Sequence, residues 1–207
     1  MNLSRRTLLR LVAATAALTF VSILPAQTAA PAAPTSVTPA PTPAVPSVPG
    51  LTLTTTAFED GGLIPARFTQ LDANPISPKL DWTHVPAGTM SFALIMHDPD
   101  ASPTRTTEDV LHWLIFNIPG TATGLPENVP AMAQRPDGSV QAKNRGSING
   151  YRGPGAPAVG PYHHYTFELF ALDVKLDLTA EATRVDVLKA MEGHILGKGV
   201  MGGRFHR

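Results

Sequence analysis

Between residues 51 and 207, short stretches of the chain alternate between hydrophobic and polar positions, and this period of two predicts β-strands. The clearest example is the apolar run SFALIMH, residues 91–97. On one face of this strand lie Phe92, Leu94 and Met96, and on the other lie Ala93, Ile95 and His97. The strand leads into the polar turn DPDASP, which begins at Asp98.

Other segments are shorter or less regular. Leu111–Ile118 is predicted as a strand in which His112 shares a face with Leu114 and Phe116. Further extended segments are expected at residues 51–58, 64–69, 80–82 and 200–207. Residues 121–149 are polar and turn-rich without a sustained period, so we expect a long surface excursion there.

The strand that begins at His163 follows a loop, residues 150–161, that is too rich in glycine and proline to form a helix. His163 and Tyr165 fall on one face of this strand, and the interposed His164 faces away. A histidine and a tyrosine therefore point together at the mouth of a rigid loop. Loop amides and these two side chains suit a shallow polar pocket.

One helix is predicted after this strand. Thr183 and Asp186, three residues apart, resemble a capping box. Its apolar stripe comprises Val185, Leu188, Met191 and Ile195, and its end is expected at Gly197 and Gly199. Strands separated by turn-rich loops and followed by a late helix predict a mainly β domain of antiparallel sheets with one or two peripheral helices.

Composition narrows the possible functions. The 207 residues carry 15% charged side chains and no net charge, so a nucleic-acid partner is not expected. Arg5, Arg6 and Arg10 precede every acidic residue, which leaves 13 basic against 16 acidic side chains in the remainder. The absence of cysteine excludes disulfides, thiol nucleophiles and a lipid-carrying cysteine anchor.

The first 50 residues predict two segments ahead of the folded domain. Residues 1–30 read as an export signal, because a positive start precedes an apolar run, Leu11–Leu24, and small residues. Its SRRTLLR segment resembles the twin-arginine signal of bacteria. Residues 31–50 are a Pro/Ala/Thr-rich linker, and residues 51–207 are the folded domain. A periplasmic or secreted protein without a stable membrane anchor is expected.

Several polar residues lie at the ends of apolar strands and could carry chemistry. Taken singly, each has a structural explanation: Asp98 precedes a proline and suits a turn, and His112 suits a hydrogen-bonded position in the core. Tyr165 could be a core residue whose hydroxyl reaches the surface. A shared pocket is the alternative to these separate explanations.

Six motifs occur along the chain in a characteristic order and spacing: FEDGGLIPARFT, NPISPKLDW, GTMSFALIMHDPDA, HWLIFNIPG, GYRGPGAPAVGPYHHYTFELFALD and GHILGKGVMGGRFHR. In this order and spacing they resemble the phosphatidylethanolamine-binding protein family. The bacterial branch, often labelled Raf kinase inhibitor-like, is the more similar one. The resemblance covers residues 51–207. It implies an antiparallel β-sandwich with Greek-key-like sheets and a small surface pocket for phosphate or a phosphate-bearing head group.

The resemblance also implies the pocket residues. They are Asp98, Asp100, His112, Gly153, Pro157, His163 and Tyr165. A histidine beside a carboxylate is expected to favour its protonated form and to donate a charge-assisted bond to a phosphate oxygen. Because none of these residues is Arg or Lys, modest affinity is expected.

The sequence departs from the family pattern in three places. The turn reads DPDASP where the family usually has DPDAP, so we expect a longer rim. Val110 stands where animal members carry a pocket-lining tryptophan, and the sequence ends at Arg207 before the C-terminal helix of eukaryotic members. Small anions are therefore expected to bind more securely than lipid head groups.

Two classes of function remain open on this basis. The first is a binding protein without cofactor, metal or catalytic residue, which acts as an inhibitor of a protease or kinase-type target as ascribed to relatives. The alternative is a metal-assisted or acid/base hydrolytic enzyme that uses Asp98, Asp100, His112 and His163. Against the enzyme, no serine lies in a recognisable nucleophile elbow.

Overall fold

A computed structural model describes residues 50–207, which contain two β-sheets and one α-helix. The strands are β1 (Thr52–Thr54), β2 (Gly62–Leu63), β3 (Leu80–Thr83), β4 (Ser91–Asp98), β5 (Val110–Pro119), β6 (Gly124–Leu125), β7 (Val140–Gln141), β8 (His163–Leu172) and β9 (Ile195–Phe205). Helix α1 spans Arg184–Met191, and a single 3₁₀ turn spans Ala66–Phe68. The predicted export signal and all of the linker but Gly50 lie outside the described residues.

The two sheets are open and pack face to face. One has the strand order β1-β3-β6, and the other has the order β2-β9-β8-β4-β5-β7. All pairings are antiparallel except that of β2 with β9. The mainly β prediction, with antiparallel sheets and a peripheral helix, is confirmed.

Strand β4 lies at the centre of the larger sheet because it pairs with both β5 and β8. Its alternation puts Phe92, Leu94 and Met96 in the core between the two sheets, as predicted. Ala93 and Ile95 lie on the opposite face, in a second core that α1 covers. A strand buried on both faces reads as a continuous apolar run, which explains the sequence SFALIMH.

The start of α1 agrees with the sequence, but its end and its buried face do not. The Thr183 hydroxyl accepts from the Asp186 amide, and the Asp186 carboxylate accepts from the Thr183 amide, which forms the predicted capping box. Val187 and Met191 are the buried residues of the helix, whereas Val185 is 67% exposed. The helix ends before Gly193, which has a φ of +81°.

Ile195, Gly197 and Gly199, predicted within or just after the helix, instead belong to β9. At Gly197 and Gly199, the segments that flank the smaller sheet approach β9 so closely that there is no room for a side chain. An added Cβ would lie 2.8 Å from Pro86 Cγ at Gly197 and 2.9 Å from Leu51 O at Gly199. These glycines serve sheet packing and do not terminate the helix.

Two other expectations are wrong. Residues 64–69, predicted as extended, contain the 3₁₀ turn, in which the Phe68 amide bonds to the Pro65 carbonyl. Residues 121–149 contain β6 and β7 and are partly packed into the fold. The buried Gln141 side chain accepts a hydrogen bond from Trp113 Nε1 at 2.7 Å and donates to the Pro130 carbonyl at 2.8 Å.

Candidate anion-binding site

A cavity of about 270 Å³ lies where β4 ends and where β5 and β8 begin. Because β4 is antiparallel to both neighbours, its last residue lies beside the first residues of the other two strands. The lining residues are Gln70, Asp98, Ala101, Val110, His112, Arg145, Arg152, Gly155, Ala156, Pro157, His163 and Tyr165. Strand ends and the Gly/Pro loop thus form the walls together.

A β-bulge places His112 in this cavity. Met96 pairs with Trp113, but His97 pairs with Leu111, so His112 is an extra residue in β5 without its own partner in β4. A bulge changes the side on which a side chain points. The alternation that the sequence predicts for β5 is therefore interrupted at this position.

The side chain of His112 consequently lies on the same face of the sheet as Tyr165. The two ring centroids are 5.1 Å apart in an edge-to-face arrangement. Leu114 and Phe116 belong to the core on the opposite face of the sheet. The prediction that His112 shares their face is wrong, and the bulge is the reason.

The carboxylate of Asp98 holds His163 in position. Asp98 is 3% exposed, and both of its oxygens accept hydrogen bonds. Oδ2 accepts from Nδ1 of His163 at 2.8 Å, and Oδ1 accepts from the Asp100 amide at 3.0 Å. Because a carboxylate only accepts, Nδ1 of His163 carries a proton, and Nε2 is the ring atom left for other contacts.

His112 is held in a different way. Its Nδ1 donates to the Arg152 carbonyl at 2.8 Å. Burial lowers the pKa of His112, and the bond to Arg152 and the charge of Asp98 oppose this shift only in part. A neutral ring at pH 7 with its proton on Nδ1 leaves Nε2 as a hydrogen-bond acceptor. His112 is therefore an acceptor in this cavity and not a charged donor.

Tyr165 supplies a neutral hydroxyl. It is fully buried, and its oxygen accepts a hydrogen bond from the Gly155 amide at 3.3 Å. Burial and the nearby charge of Asp98 raise the pKa of Tyr165, so the hydroxyl keeps its proton. The hydroxyl can therefore donate a hydrogen bond, either to the neighbouring Asp98 carboxylate or to a ligand oxygen.

The structure brings together five of the seven predicted site residues, namely Asp98, His112, Pro157, His163 and Tyr165. Gly153 does not line the cavity. An added Cβ there would lie 2.7 Å from the Phe68 carbonyl oxygen, and the Gln70 side chain donates to the Gly153 carbonyl at 2.8 Å. Gly153 thus lets the loop pack closely against the segment that follows the 3₁₀ turn.

Asp100 also lies outside the cavity lining. Its carboxylate accepts from the amide of His164 at 2.6 Å and from Nδ1 of that residue at 2.8 Å. Although partial burial acts to raise it, these contacts lower the pKa of Asp100 overall. As alternation predicts, His164 faces away from His163. The ion pair of Asp100 and His164 therefore lies on the outer side of β8.

Arg145, Arg152 and Gln70 line the cavity and were missed by the sequence interpretation. Neither arginine forms an ion pair with another side chain within residues 50–207. Arg152 immediately precedes Gly153, and that position in the Gly/Pro loop was the available signal. The expectation of a pocket without Arg or Lys is wrong.

Within residues 50–207, no three His, Asp or Glu side chains converge in an arrangement suited to a metal ion. In the same part of the chain, no helix has the length and apolar character needed to span a membrane.

Two packed open sheets, with a polar cavity at the strand ends, define a mainly β fold. The sequence model for phosphatidylethanolamine-binding protein matches residues 54–206, and the chain belongs to this family. The resemblance read from the sequence is thereby confirmed.

Relatives from several organisms agree with this assignment. A UPF0098 protein of Methanothermobacter thermautotrophicus is 49% identical over 157 residues, which are 76% of this chain and 99% of that protein. The putative lipoprotein LppC of Mycobacterium tuberculosis is 35% identical over 156 residues, which are 75% of this chain and 72% of that protein.

Solved structures show the same fold. The putative phosphatidylethanolamine-binding protein homologue CT736 of Chlamydia trachomatis matches with a TM-score of 0.65 and 31% identity, covering 76% of this chain and 98% of that one. YbcL of E. coli, described as a member of the mammalian family, matches with a TM-score of 0.66 and 26% identity, covering 77% and 99%.

Proposed function

We propose that this protein binds phosphate or a phosphate-bearing group in the cavity at the ends of β4, β5 and β8, and that it does so without catalysing a reaction. The observation that carries the proposal is the pair of arginines, Arg145 and Arg152, which line the cavity without an ion-pair partner within residues 50–207. Guanidinium groups suit the planar, two-point recognition of phosphate oxygens.

The size and charge of the cavity support a small anion. A volume of about 270 Å³ lies below the usual range of drug-sized sites, so it suits a single phosphate-sized group. The negative charge of Asp98 is directed toward His163 and the Asp100 amide, and both of its oxygens are engaged there. The Tyr165 hydroxyl adds a neutral donor.

Calorimetric titration of the protein with phosphate, phosphoethanolamine and zinc tests this proposal. Replacing Arg152 by Gln removes the free guanidinium but keeps the backbone carbonyl that holds His112. Loss of a charge-assisted hydrogen bond is expected to weaken phosphate binding about 10- to 100-fold.

Lys175→Gln is the matched control, because it removes one positive charge from an exposed side chain that does not line the cavity. It should leave phosphate affinity within about twofold. Phosphate binding that is equally strong in Arg152→Gln, or tight zinc binding without phosphate binding, would contradict the anion-binding proposal.

We also propose that the protein is exported to the periplasm or secreted through the twin-arginine-like signal of residues 1–30. The family includes a relative named as a putative lipoprotein, which is consistent with a location outside the cytoplasm. Replacing Arg5 and Arg6 by Lys should retain the protein in the cytoplasm, as measured by cell fractionation. Unchanged export of the twin-lysine variant would contradict this route.

Inhibition of a protein target, implied by the family resemblance, is proposed to use the rim of the same cavity. The Gly/Pro loop that contributes Pro157 continues into Val159, which is 89% exposed, and Tyr162, which is 40% exposed. Exposed apolar side chains beside a polar pocket suit contact with another protein. Envelope proteases should be inhibited by the natural sequence and not by Val159→Asp; equal inhibition by both would contradict this role of the rim.

A further inference from the structure

The cavity offers a hydrogen-bond acceptor as well as donors, and this acceptor restricts which anions it can bind. Nδ1 of His112 is committed to the Arg152 carbonyl, which can only accept, so the neutral ring presents an unprotonated Nε2. Within residues 50–207 this atom has no hydrogen-bond partner and, unlike Nε2 of His97, it is not sealed from solvent. The lone pair of Nε2 is therefore available to a ligand in the cavity.

The surroundings favour the neutral ring. His112 is 3% exposed, so a positive charge on the ring would be poorly solvated, and the charge of Arg152 would also repel it. The bond to the Arg152 carbonyl and the charge of Asp98 act in the opposite direction, but burial is the largest effect and lowers the pKa of His112 overall. The ring is also packed edge-on against Tyr165. The titratable and charged groups that line the cavity with it are Asp98, His163, Tyr165, Arg145 and Arg152. Asp98 and His163 are bonded to each other, Tyr165 is uncharged, and the two arginines are positively charged.

An anion without a proton is poorly matched to this arrangement. Each oxygen of such an anion only accepts hydrogen bonds, so its lone pairs would face the lone pair of Nε2. A buried acceptor left without a donor costs free energy that binding elsewhere in the cavity has to offset. A ligand with a P–OH group satisfies Nε2 and still presents other oxygens to the arginines and to Tyr165.

We propose that the cavity selects phosphate groups that retain a proton over sulfate and over phosphodiesters, and that Nε2 of His112 accepts the hydrogen bond from the P–OH group. This inference rests on the proposed function, since it names the class of phosphate that the same cavity takes. A free phosphate fits the site better than the phosphodiester of a lipid head group.

Three probes separate protonation from charge. Near pH 7, inorganic phosphate keeps at least one proton, whereas sulfate and dimethyl phosphate have none. Sulfate carries two negative charges and dimethyl phosphate carries one, so the average charge of phosphate lies between them. A preference for phosphate over both therefore cannot result from charge alone.

Calorimetric titration of the full chain at about pH 7.5, where an ordinary histidine is neutral, should give phosphate affinity about 10- to 100-fold above that for each of the other two anions. Sulfate or dimethyl phosphate binding within about threefold of phosphate would overturn the inference and leave the anion-binding proposal intact. Absence of binding by all three anions would overturn both.

A variant assigns the selectivity to His112. In His112→Asn the side-chain amide can still donate to the Arg152 carbonyl, but the acceptor at the Nε2 position is lost. Phosphate should then bind no more than about threefold more tightly than sulfate, because the unpaired acceptor no longer penalises sulfate. Full selectivity in a folded His112→Asn variant, checked by circular dichroism, would overturn the assignment.

His84→Asn is the matched control. His84 lies outside the cavity lining and has a φ of +56°, a backbone conformation that asparagine tolerates. Its selectivity should equal that of the natural sequence. If His112→Asn does not fold, the comparison of the three anions on the natural sequence still decides the inference.

Discussion

A buried histidine that forms no ion pair within residues 50–207 makes the stability of this fold sensitive to acid. His112 is 3% exposed, and Nδ1 of its ring donates a hydrogen bond to the neutral carbonyl of Arg152. Burial lowers the pKa of His112 below its usual value of 6.5. The unfolded chain therefore takes up a proton at a higher pH than the folded protein does.

The sign of the resulting pH dependence follows directly. Above about pH 6.5 the ring is neutral in both states, and the full contribution to stability is present. As the pH falls below this value, protonation of residue 112 stabilises the unfolded state, and the free energy of unfolding decreases. This decrease continues until the pH reaches the lowered pKa of His112 in the folded state. The free energy of unfolding should therefore fall more steeply with decreasing pH than it does in His112→Asn.

Denaturant titrations at a series of pH values from about 7.5 to 5 measure this difference. Every other titratable group is common to both proteins, so subtracting the two profiles isolates residue 112. Parallel profiles through this range would show that burial does not hold the ring neutral.

At the scale of residues, alternation along β8 predicted that His163 and Tyr165 share a face, whereas the two arginines supplied by loops were missed. Alternation alone placed His163 and Tyr165 together, because both lie on one strand with a period of two. Arg145 and Arg152 lie in irregular segments, where spacing carries no information on direction. The backbone bond from the Arg152 amide to the His112 carbonyl positions Arg152, and residues 40 positions apart in sequence give no local sign of such contact.

At the scale of elements, a cluster of charged side chains attaches α1 to the larger sheet on the face opposite the cavity. The Asp109 carboxylate accepts hydrogen bonds from Arg184, in the first turn of α1, and from Nδ1 of His97 in β4, the latter at 2.6 Å. The Asp109 side chain is 18% exposed. One carboxylate therefore links the helix, the central strand and the loop before β5.

Removing this carboxylate should destabilise the protein measurably. Asp109→Ala leaves Arg184 and His97 without their shared acceptor in a largely buried position, and we expect a loss of about 2 kcal/mol in the free energy of unfolding. Glu181→Ala is the control, because Glu181 is 73% exposed and its ion pair with Lys143 is a surface contact. It should cost less than about 0.5 kcal/mol.

Chemical denaturation of both variants at neutral pH gives the comparison. Equal losses for Asp109→Ala and Glu181→Ala would mean that the Asp109 cluster contributes no more than an exposed ion pair. A larger loss limited to Asp109→Ala would support its role in attaching α1.

Local signals predicted the beginning of elements better than their ends and irregularities. The capping box of α1 is encoded within three residues, so the sequence located Thr183 correctly. The end of the helix was misplaced because Gly193, Gly197 and Gly199 look alike in sequence, although only the first has a positive φ. The bulge at His112 depends on pairing with β4 and leaves no pattern within β5 itself.

At the scale of the whole molecule, close contact between the sheets depends on the glycines of β9. An added Cβ at Gly199 would lie 2.9 Å from the Leu51 carbonyl oxygen and 3.2 Å from the Leu53 amide nitrogen. Both neighbours are backbone atoms of the segment containing β1. The smaller sheet could accept a side chain here only by moving away from β9.

Gly199→Ala should therefore lower the free energy of unfolding by about 1–3 kcal/mol, because backbone atoms cannot yield as a flexible side chain does. Gly202→Ala, on the same strand, is the control: an added Cβ there lies no closer than 3.7 Å to another residue, from the Tyr165 carbonyl oxygen. It should be neutral within about 0.5 kcal/mol. Similar effects of both substitutions in thermal or denaturant unfolding would argue against tight sheet packing at Gly199.

The overall architecture was predicted well because strands with apolar faces have few ways to bury them. The order of strands within the larger sheet was not predictable in this way. Strand β9 is last in sequence but lies between β2 and β8, and its pairing with β2 is parallel. Such pairings are decided by contacts between segments that are distant along the chain.

The turn after β4 has a consequence for how β8 is aligned in the sheet. Asp98 bonds to His163 on the inner side of β8, and Asp100, two residues later, bonds to His164 on the outer side. A shift of β8 by one residue would exchange inner and outer side chains and break both contacts at once. Two carboxylates that bind consecutive histidines on opposite faces of β8 therefore fix its pairing register. The cavity forms correctly only when β8 pairs in this register, without a shift of even one residue.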